Sequence, residues 1–155
     1  MSVSRAVFWC LAVSVIAACD SAPHQHADAT LYNCATETRA DTYAPNMVKI
    51  GSQGLYQFVL VESVPAPPAK GDNTWTLRIL DLNDMGIDGA TLTVTPFMPD
   101  HGHGTAIEAV VTPGGNGTYT ADPVNLWMPG LWRTTIAVND GGAVDDAVFA
   151  FCIEG

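Results

Sequence analysis

Residues 98–104 of this chain, here called the histidine loop, carry two of its four histidines, His101 and His103. The same loop contributes a thioether from Met98 and a carboxylate from Asp100. Imidazole and thioether groups suit soft and borderline transition metals. Side chains at positions i and i+2 of an extended backbone point to the same side, so both rings could bind one ion. Copper is therefore the first candidate, and Asp100 could orient an imidazole or supply an oxygen ligand.

A further sulfur ligand is available from Met128, in the turn that follows two more predicted strands. Two reversals of chain direction place this turn and the histidine loop at the same end of a sandwich. The sequence thus predicts a copper(I) site made by Met98, His101, His103 and Met128. The competing interpretation has no metal: the rings hydrogen-bond to nearby carbonyl groups, and the two methionines fill the edge of the core.

The first nineteen residues predict export and a lipid anchor. Arg5 supplies positive charge, and residues 6–18 form an apolar run of 13, shorter than a membrane span and typical of a secretory signal. The run ends in the letters IAAC, which resemble the lipobox of bacterial lipoproteins, whose cysteine is lipidated after cleavage. An ordinary cleavable signal with an incidental cysteine is the alternative. We expect residues 1–18 to be a signal peptide and Cys19 to tether the protein to a membrane of the cell envelope, facing the periplasm or the outside.

Residues 19–30 are polar and show no hydrophobic periodicity, so they predict a flexible tether. They contain a second pair of histidines, His24 and His26. This pair could capture a metal for transfer, or it could simply belong to a solvated linker. Residues 31–155 are then expected to form one domain.

Only two cysteines follow Cys19, namely Cys34 and Cys152. Two thiols in an oxidising compartment suggest one disulfide that joins the two ends of the domain. The chain-entropy model gives roughly 4 to 5 kcal/mol for so long a loop, as an upper estimate. Metal binding by these cysteines is the alternative, although neither has a partner at Cys-x-x-Cys spacing.

The charge balance and the motifs argue against two classes of function. Six Lys and Arg stand against 16 Asp and Glu, and phosphate binding needs clustered basic side chains, so the composition argues against nucleic acid as a partner. The sequence has no Gly-x-Ser-x-Gly elbow, His-Glu-x-x-His motif or phosphate-binding loop. The adjacent Asp145 and Asp146 would point to opposite faces of a strand, which is poor geometry for acid–base catalysis. We therefore expect no enzyme.

Short β-rich segments with period-two alternation predict an all-β protein, an immunoglobulin-like antiparallel sandwich of about seven strands. The Pro-rich run 65–71 is expected to be a surface loop, because proline lacks the backbone donor that a sheet needs. Glycine-rich runs at 113–117 and 139–142 predict hairpin connections. The predicted strands are 55–64, 74–82, 91–97, 106–112, 117–121, 131–138 and 143–153.

The order of motifs from Leu80 to Val138 resembles that of YtkA-like domains, which are relatives of the FixH-like proteins. The matching residues are Asp84, Gly86, Gly89, Met98, Pro99, His101, His103, Gly115, Gly117, Tyr119, Met128, Gly130 and Trp132. These families are envelope-anchored and immunoglobulin-like, and some members are associated with copper handling or cytochrome oxidase assembly. The resemblance implies such a role here. This chain departs from the FixH pattern because a lipobox stands in place of a full transmembrane helix.

Two hypotheses from different classes follow. The first is a metal-binding envelope lipoprotein that holds or delivers copper through the histidine loop and Met128. The second is a non-catalytic structural or interaction module, whose loops or exposed sheet edge contact another envelope protein without any metal.

Overall fold

Two antiparallel β-sheets face each other in the computed structural model, which describes residues 32–155. Leu31–Gly155 forms one compact unit. The expected signal peptide, the expected lipidation site Cys19 and the expected tether with His24 and His26 lie outside the described residues. Across residues 32–155, no helix is long and apolar enough to cross a membrane.

Nine strands build the sandwich, and a short 3-10 helix, Cys34–Thr36, precedes them. The strands are β1 (Met47–Ile50), β2 (Gln57–Val64), β3 (Gly71–Leu80), β4 (Thr91–Met98), β5 (His103–Gly104), β6 (Val110–Gly115), β7 (Thr118–Leu126), β8 (Gly130–Asn139) and β9 (Val144–Ile153). One sheet has the order β1-β2-β3-β7-β6, and the other has the order β5-β4-β8-β9. The prediction of an all-β antiparallel sandwich is confirmed.

The core lies between the two sheets and follows from the alternation of side chains along each strand. In β3, Trp75, Leu77 and Ile79 point inward and are at most 1% exposed. In β8, Trp132 and Ile136 do the same from the opposite sheet, and both are fully buried. Each large apolar side chain removed from water contributes about 1.5–3 kcal/mol, so the facing rows hold the sheets together.

The structure differs from the predicted strands in number and in bounds. Two short strands, β1 and β5, have no counterpart among the predicted segments, and β5 lies inside the histidine loop. Strand β6 begins at Val110 instead of residue 106, while β7 continues to Leu126 instead of ending at residue 121. Strand β3 already begins at Gly71, within the segment predicted as a surface loop. A strand of two to four residues is too short to show a period in the sequence. Such strands form because a neighbouring strand pairs with them.

A disulfide joins the two ends of the domain, as the number and positions of the cysteines predicted. A disulfide joins Cys34 to Cys152 in β9, across a separation of 118 residues and with the Cα atoms 5.6 Å apart. A few residues further, the Asp41 amide donates to the Ala150 carbonyl oxygen (2.7 Å), and the Ala150 amide donates to the Asp41 carboxylate (2.8 Å). The segment before β1 therefore lies along β9.

The two predicted hairpin connections are also present, between β6 and β7 and between β8 and β9.

Candidate metal site

The histidine loop is a tight turn and not an extended segment. The amides of His101 and Gly102 both donate to the Met98 carbonyl oxygen, at 3.3 and 2.9 Å. Gly102 has a φ of +69°, a backbone conformation that favours glycine. The turn brings His103 back beside Met98, where it pairs as β5 with the end of β4. The rings of His101 and His103 are neighbours, with centroids 5.7 Å apart. We expected this proximity from an extended backbone, which the structure does not have here.

The His103 ring is oriented by two contacts. It stacks on Trp127, with centroids 5.5 Å apart and planes 23° from parallel. Its Nδ1 atom lies 3.0 Å from the Gly104 carbonyl oxygen. A carbonyl oxygen only accepts hydrogen bonds, so Nδ1 is the donor in this contact, and Nε2 is the nitrogen that can offer a lone pair to a metal. Metal-binding histidines are commonly oriented in this way, with the second nitrogen donating to a backbone carbonyl.

The histidine loop and the turn that contains Met128 lie at the same end of the sandwich. The stacking of His103 on Trp127 joins them from one side. From the other side, the Met98 methyl group packs over Gly130: a Cβ atom added there would lie 2.6 Å from Met98 Cε. Gly130 also has a φ of +131°, a backbone conformation that favours glycine.

Both predicted sulfur ligands contribute to core packing. Met98 is fully buried. Met128 is half-buried and packs against the core cluster, and its carbonyl oxygen accepts a 2.8 Å hydrogen bond from Trp132 Nε1. Their role as metal ligands stays a prediction.

Asp100 is engaged by an arginine from the start of the domain. Arg39 donates to both carboxylate oxygens of Asp100, at 2.7 and 2.6 Å, and the Tyr32 hydroxyl lies 3.4 Å from one of them. These hydrogen bonds from Arg39 hold the pKa of Asp100 below its usual value. Arg39 also binds Glu37 and lowers the pKa of that carboxyl to about 2. Asp100 thus stays ionised and pairs with a guanidinium, and its role in orienting an imidazole or supplying an oxygen ligand stays a prediction.

Arg39 is the residue of this site that sequence reasoning missed. It lies 61 positions before Asp100 and carries no motif. Its pairing with the histidine loop follows from the disulfide and the strand contacts that hold the first described segment against the sandwich. Only the tertiary arrangement could reveal it.

Two imidazoles at an accessible rim can bind a borderline metal ion. His101 is exposed and His103 is half-buried. Within residues 32–155, no group of three or more His, Cys, Asp and Glu side chains is placed to hold a metal ion. The described part of the chain therefore brings two imidazoles together, with the Met128 turn beside them.

Comparison with known proteins identifies the domain. No curated protein and no solved structure matches the chain. A family model described as YtkA-like matches residues 53–137. This range covers more than half of the 155 residues and includes the histidine loop, Trp127 and Met128. It confirms the resemblance found from the motifs, and the chain belongs to the YtkA-like family.

Proposed function

We propose that this protein is an envelope lipoprotein whose β-sandwich binds copper at the histidine loop and holds or delivers it. The observation that carries this proposal is the pair of neighbouring rings, His101 and His103, with the Nε2 lone pair of His103 left available by the contact to Gly104. A YtkA-like domain fits an envelope module, and YtkA-like sandwiches are not a known enzyme family. The apolar leader and Cys19 supply the route out of the cytoplasm and the anchor.

The surroundings of the two rings favour reversible metal binding. Trp127 fixes the plane of His103 by stacking, so little conformational freedom remains to be lost when a metal binds. His101 is exposed, which leaves a side open for a partner that gives or takes the ion. The thioether of Met128 lies in the adjoining turn and suits copper(I).

Copper titration of a chain of residues 20–155 tests the proposal. Copper(I), kept reduced by ascorbate, competes with a chromophoric chelator for the protein. The wild type is expected to remove copper from the chelator, and the His101→Ala/His103→Ala double variant is expected to lose this ability. Met128→Ala should weaken binding to a smaller extent, because both imidazoles remain. Copper bound at His103 should also quench the fluorescence of Trp127.

Ile107→Ala provides a matched control. Ile107 is 45% exposed, follows β5 closely and has no group that binds a metal. This variant should bind copper as the wild type does. Equal affinity in the wild type and in the double histidine variant would overturn the proposal.

The free edge of β4 favours the alternative of an interaction module. Strand β4 pairs with β5 only through Phe97 and Met98, so residues 91–96 have a partner strand on one side only. A cavity of about 310 Å³ follows this edge and is bounded on its far side by residues that include Thr105 and Ile107. An extended segment of another envelope protein could add to such an edge. The same titration separates the two functions, because an interaction module would bind copper no better than its histidine variant.

A further inference from the structure

Both oxygens of the Asp100 carboxylate are bound by the segment that precedes β1. Arg39 Nη1 donates to Asp100 Oδ1 at 2.7 Å, and Arg39 Nη2 donates to Oδ2 at 2.6 Å. The Tyr32 hydroxyl lies 3.4 Å from Oδ2. Paired hydrogen bonds from one guanidinium to both oxygens of a carboxylate are among the strongest polar contacts in proteins. The Asp100 carboxylate is therefore directed to this segment, although His101 is its neighbour in the chain.

Arg39 is itself fixed by a second carboxylate. Its amide and its Nε atom donate to Glu37 Oε1 at 2.8 and 2.9 Å, and Nη2 donates to Oε2 at 2.6 Å. The Tyr32 hydroxyl also donates to Glu37, at 2.8 Å, and only 6% of the Glu37 side chain is exposed. An isolated ion pair at the surface contributes little, whereas paired hydrogen bonds within a network of charges keep their geometry. Arg39 is thus held in the position from which it binds Asp100.

This contact leaves the two imidazoles without a carboxylate partner. Asp100, His101 and His103 lie within four consecutive residues. Even so, no group of three or more His, Cys, Asp and Glu side chains is placed to hold a metal ion within residues 32–155. Two histidines and one carboxylate are a common ligand set for zinc(II) and for iron(II). The histidine loop contains these three residue types, but the carboxylate is bound elsewhere.

We propose that Arg39 sets the metal selectivity of the histidine loop, because it keeps the Asp100 carboxylate away from an ion bound by His101 and His103. This inference rests on the proposed function, since it concerns the same site. Carboxylate oxygens suit harder divalent ions, whereas imidazole and thioether ligands suit copper(I). With Asp100 bound to Arg39, copper(I) finds two imidazoles and the adjoining thioether of Met128. Zinc(II) finds the same imidazoles without the oxygen ligand that would complete its site.

The test uses an N-acetylated chain of residues 31–155 with its disulfide formed. This chain is the compact unit Leu31–Gly155 with its own core, and His101 and His103 are its only histidines. Acetylation removes the terminal amine as a ligand. Zinc(II) and copper(I) are titrated separately against chromophoric chelators. In a parallel experiment cobalt(II) replaces zinc(II), because its visible absorption reports the number and arrangement of its ligands.

Arg39→Gln is expected to raise the affinity for zinc(II) by about 10- to 100-fold, the range over which groups that hold a metal ligand from behind commonly change affinity. The gain for copper(I) should be smaller, because a carboxylate oxygen is a poor ligand for a soft ion. Arg39→Lys keeps the charge but cannot form both paired hydrogen bonds, so it should also raise zinc(II) affinity. This second variant provides the test if Arg39→Gln does not fold. Adding Asp100→Asn to either variant should restore the zinc(II) affinity of the wild type.

Arg133→Gln is the matched control for the loss of one positive charge. Arg133 is exposed and lines the same cavity of about 360 Å³ as Arg39 and Pro99. Its replacement removes a charge from this neighbourhood and keeps the hydrogen bonds from Arg39 to Asp100. The control should bind zinc(II) as the wild type does.

Three results would overturn this inference and leave the proposed function standing. The first is equal zinc(II) affinity in the wild type and in the Arg39 variants. The second is a gain that persists after Asp100→Asn or that also occurs in Arg133→Gln, because charge alone would then explain it. The third is an equal change for zinc(II) and copper(I), which would leave the selectivity unaltered. Failure of the wild type to bind copper(I) would overturn the proposed function itself, whatever the result with zinc(II).

Discussion

Replacing Asp145 with alanine is expected to destabilise the sandwich far more than the same change at its neighbour Asp146. Asp145 lies in β9 with only 1% of its surface exposed. One carboxylate oxygen accepts from the amides of Gln53 and Asp146, both at 2.8 Å, and the other accepts from those of Leu55 (2.9 Å) and Tyr56 (3.2 Å). A single buried carboxylate thus holds the connection between β1 and β2 against the opposite sheet.

The magnitude follows from which amides lose their acceptor. Water can reach the exposed Gln53 and Leu55, whereas Tyr56 is buried. A buried amide without a partner costs about 1–3 kcal/mol, and a hydrogen bond to a charged group contributes about 1.5–3 kcal/mol. With the exposed bonds discounted, Asp145→Ala should lower the free energy of unfolding by about 3–4 kcal/mol. Asp146 is half-buried and accepts one side-chain hydrogen bond, from Ser52 at 2.8 Å, so its replacement should cost about 0.5–1 kcal/mol.

The pH dependence of this effect has a definite sign. Burial raises the pKa of the Asp145 carboxyl, but the four backbone amides together lower it below its usual value. A carboxyl group with a lowered pKa in the folded state stabilises the protein above its pKa in the unfolded chain, about 3.9. That contribution disappears as the pH falls below this value. The difference between the wild type and Asp145→Ala should therefore be full at pH 7 and should shrink below about pH 4.

Urea unfolding of residues 20–155 at pH 7, followed by far-ultraviolet circular dichroism, provides the measurement. The midpoint and slope of each transition give the free energy of unfolding for the wild type and both variants. The reasoning would be refuted if the free energies of unfolding of the two variants differed by less than about 1 kcal/mol, because burial and the amide contacts of Asp145 would then add nothing to stability.

Two further predictions concern the ties that close the domain. In a Cys34→Ser/Cys152→Ser variant the free energy of unfolding should fall by up to about 5 kcal/mol, the value that the chain-entropy model gives for a loop of 118 residues. Dithiothreitol should have no further effect on the urea midpoint of this variant. A midpoint equal to that of the wild type would contradict the prediction. The Tyr56 hydroxyl donates to Asp140 at 2.5 Å, which raises the pKa of Tyr56 to about 12 and lowers that of Asp140 to about 2. Tyr56→Phe should raise the pKa of Asp140 in a carboxyl NMR titration and so weaken the loss of stability in acid between about pH 4 and 2; an unshifted Asp140 would exclude the contact.

The strands with regular alternation could be predicted from the sequence, and the irregular ones could not. In β3 and β8, apolar residues recur at every second position over most of the strand, and this period survives in the fold. Strand β5 has only two residues, His103 and Gly104, and it exists because the end of β4 offers them a partner. Gly71 begins a strand although it closes a proline-rich run, since β7 extends far enough to pair with it.

The candidate site, too, could be predicted from the sequence only in part. The residue types of the histidine loop predict metal chemistry, and counting strand reversals places the loop and the Met128 turn at one end. The i, i+2 spacing predicted neighbouring rings on an extended backbone. The rings are neighbours in the structure, but Gly102 turns the chain and the backbone is not extended. The paired hydrogen bonds from Arg39 to Asp100 could not be predicted, because they join residues 61 positions apart.

The sequence by itself determined the all-β class, the antiparallel sandwich, the pairing of the two remaining cysteines and the glycine-rich hairpins. Each of these depends on side-chain period, turn chemistry or the small number of cysteines, which are local or countable properties. Only the tertiary structure decided that Arg39 binds Asp100, that Trp127 stacks on His103 and that the Tyr32 hydroxyl lies beside Asp100. These contacts join residues far apart in the sequence, and the packing of two sheets and one disulfide selects them, so no local pattern could encode them.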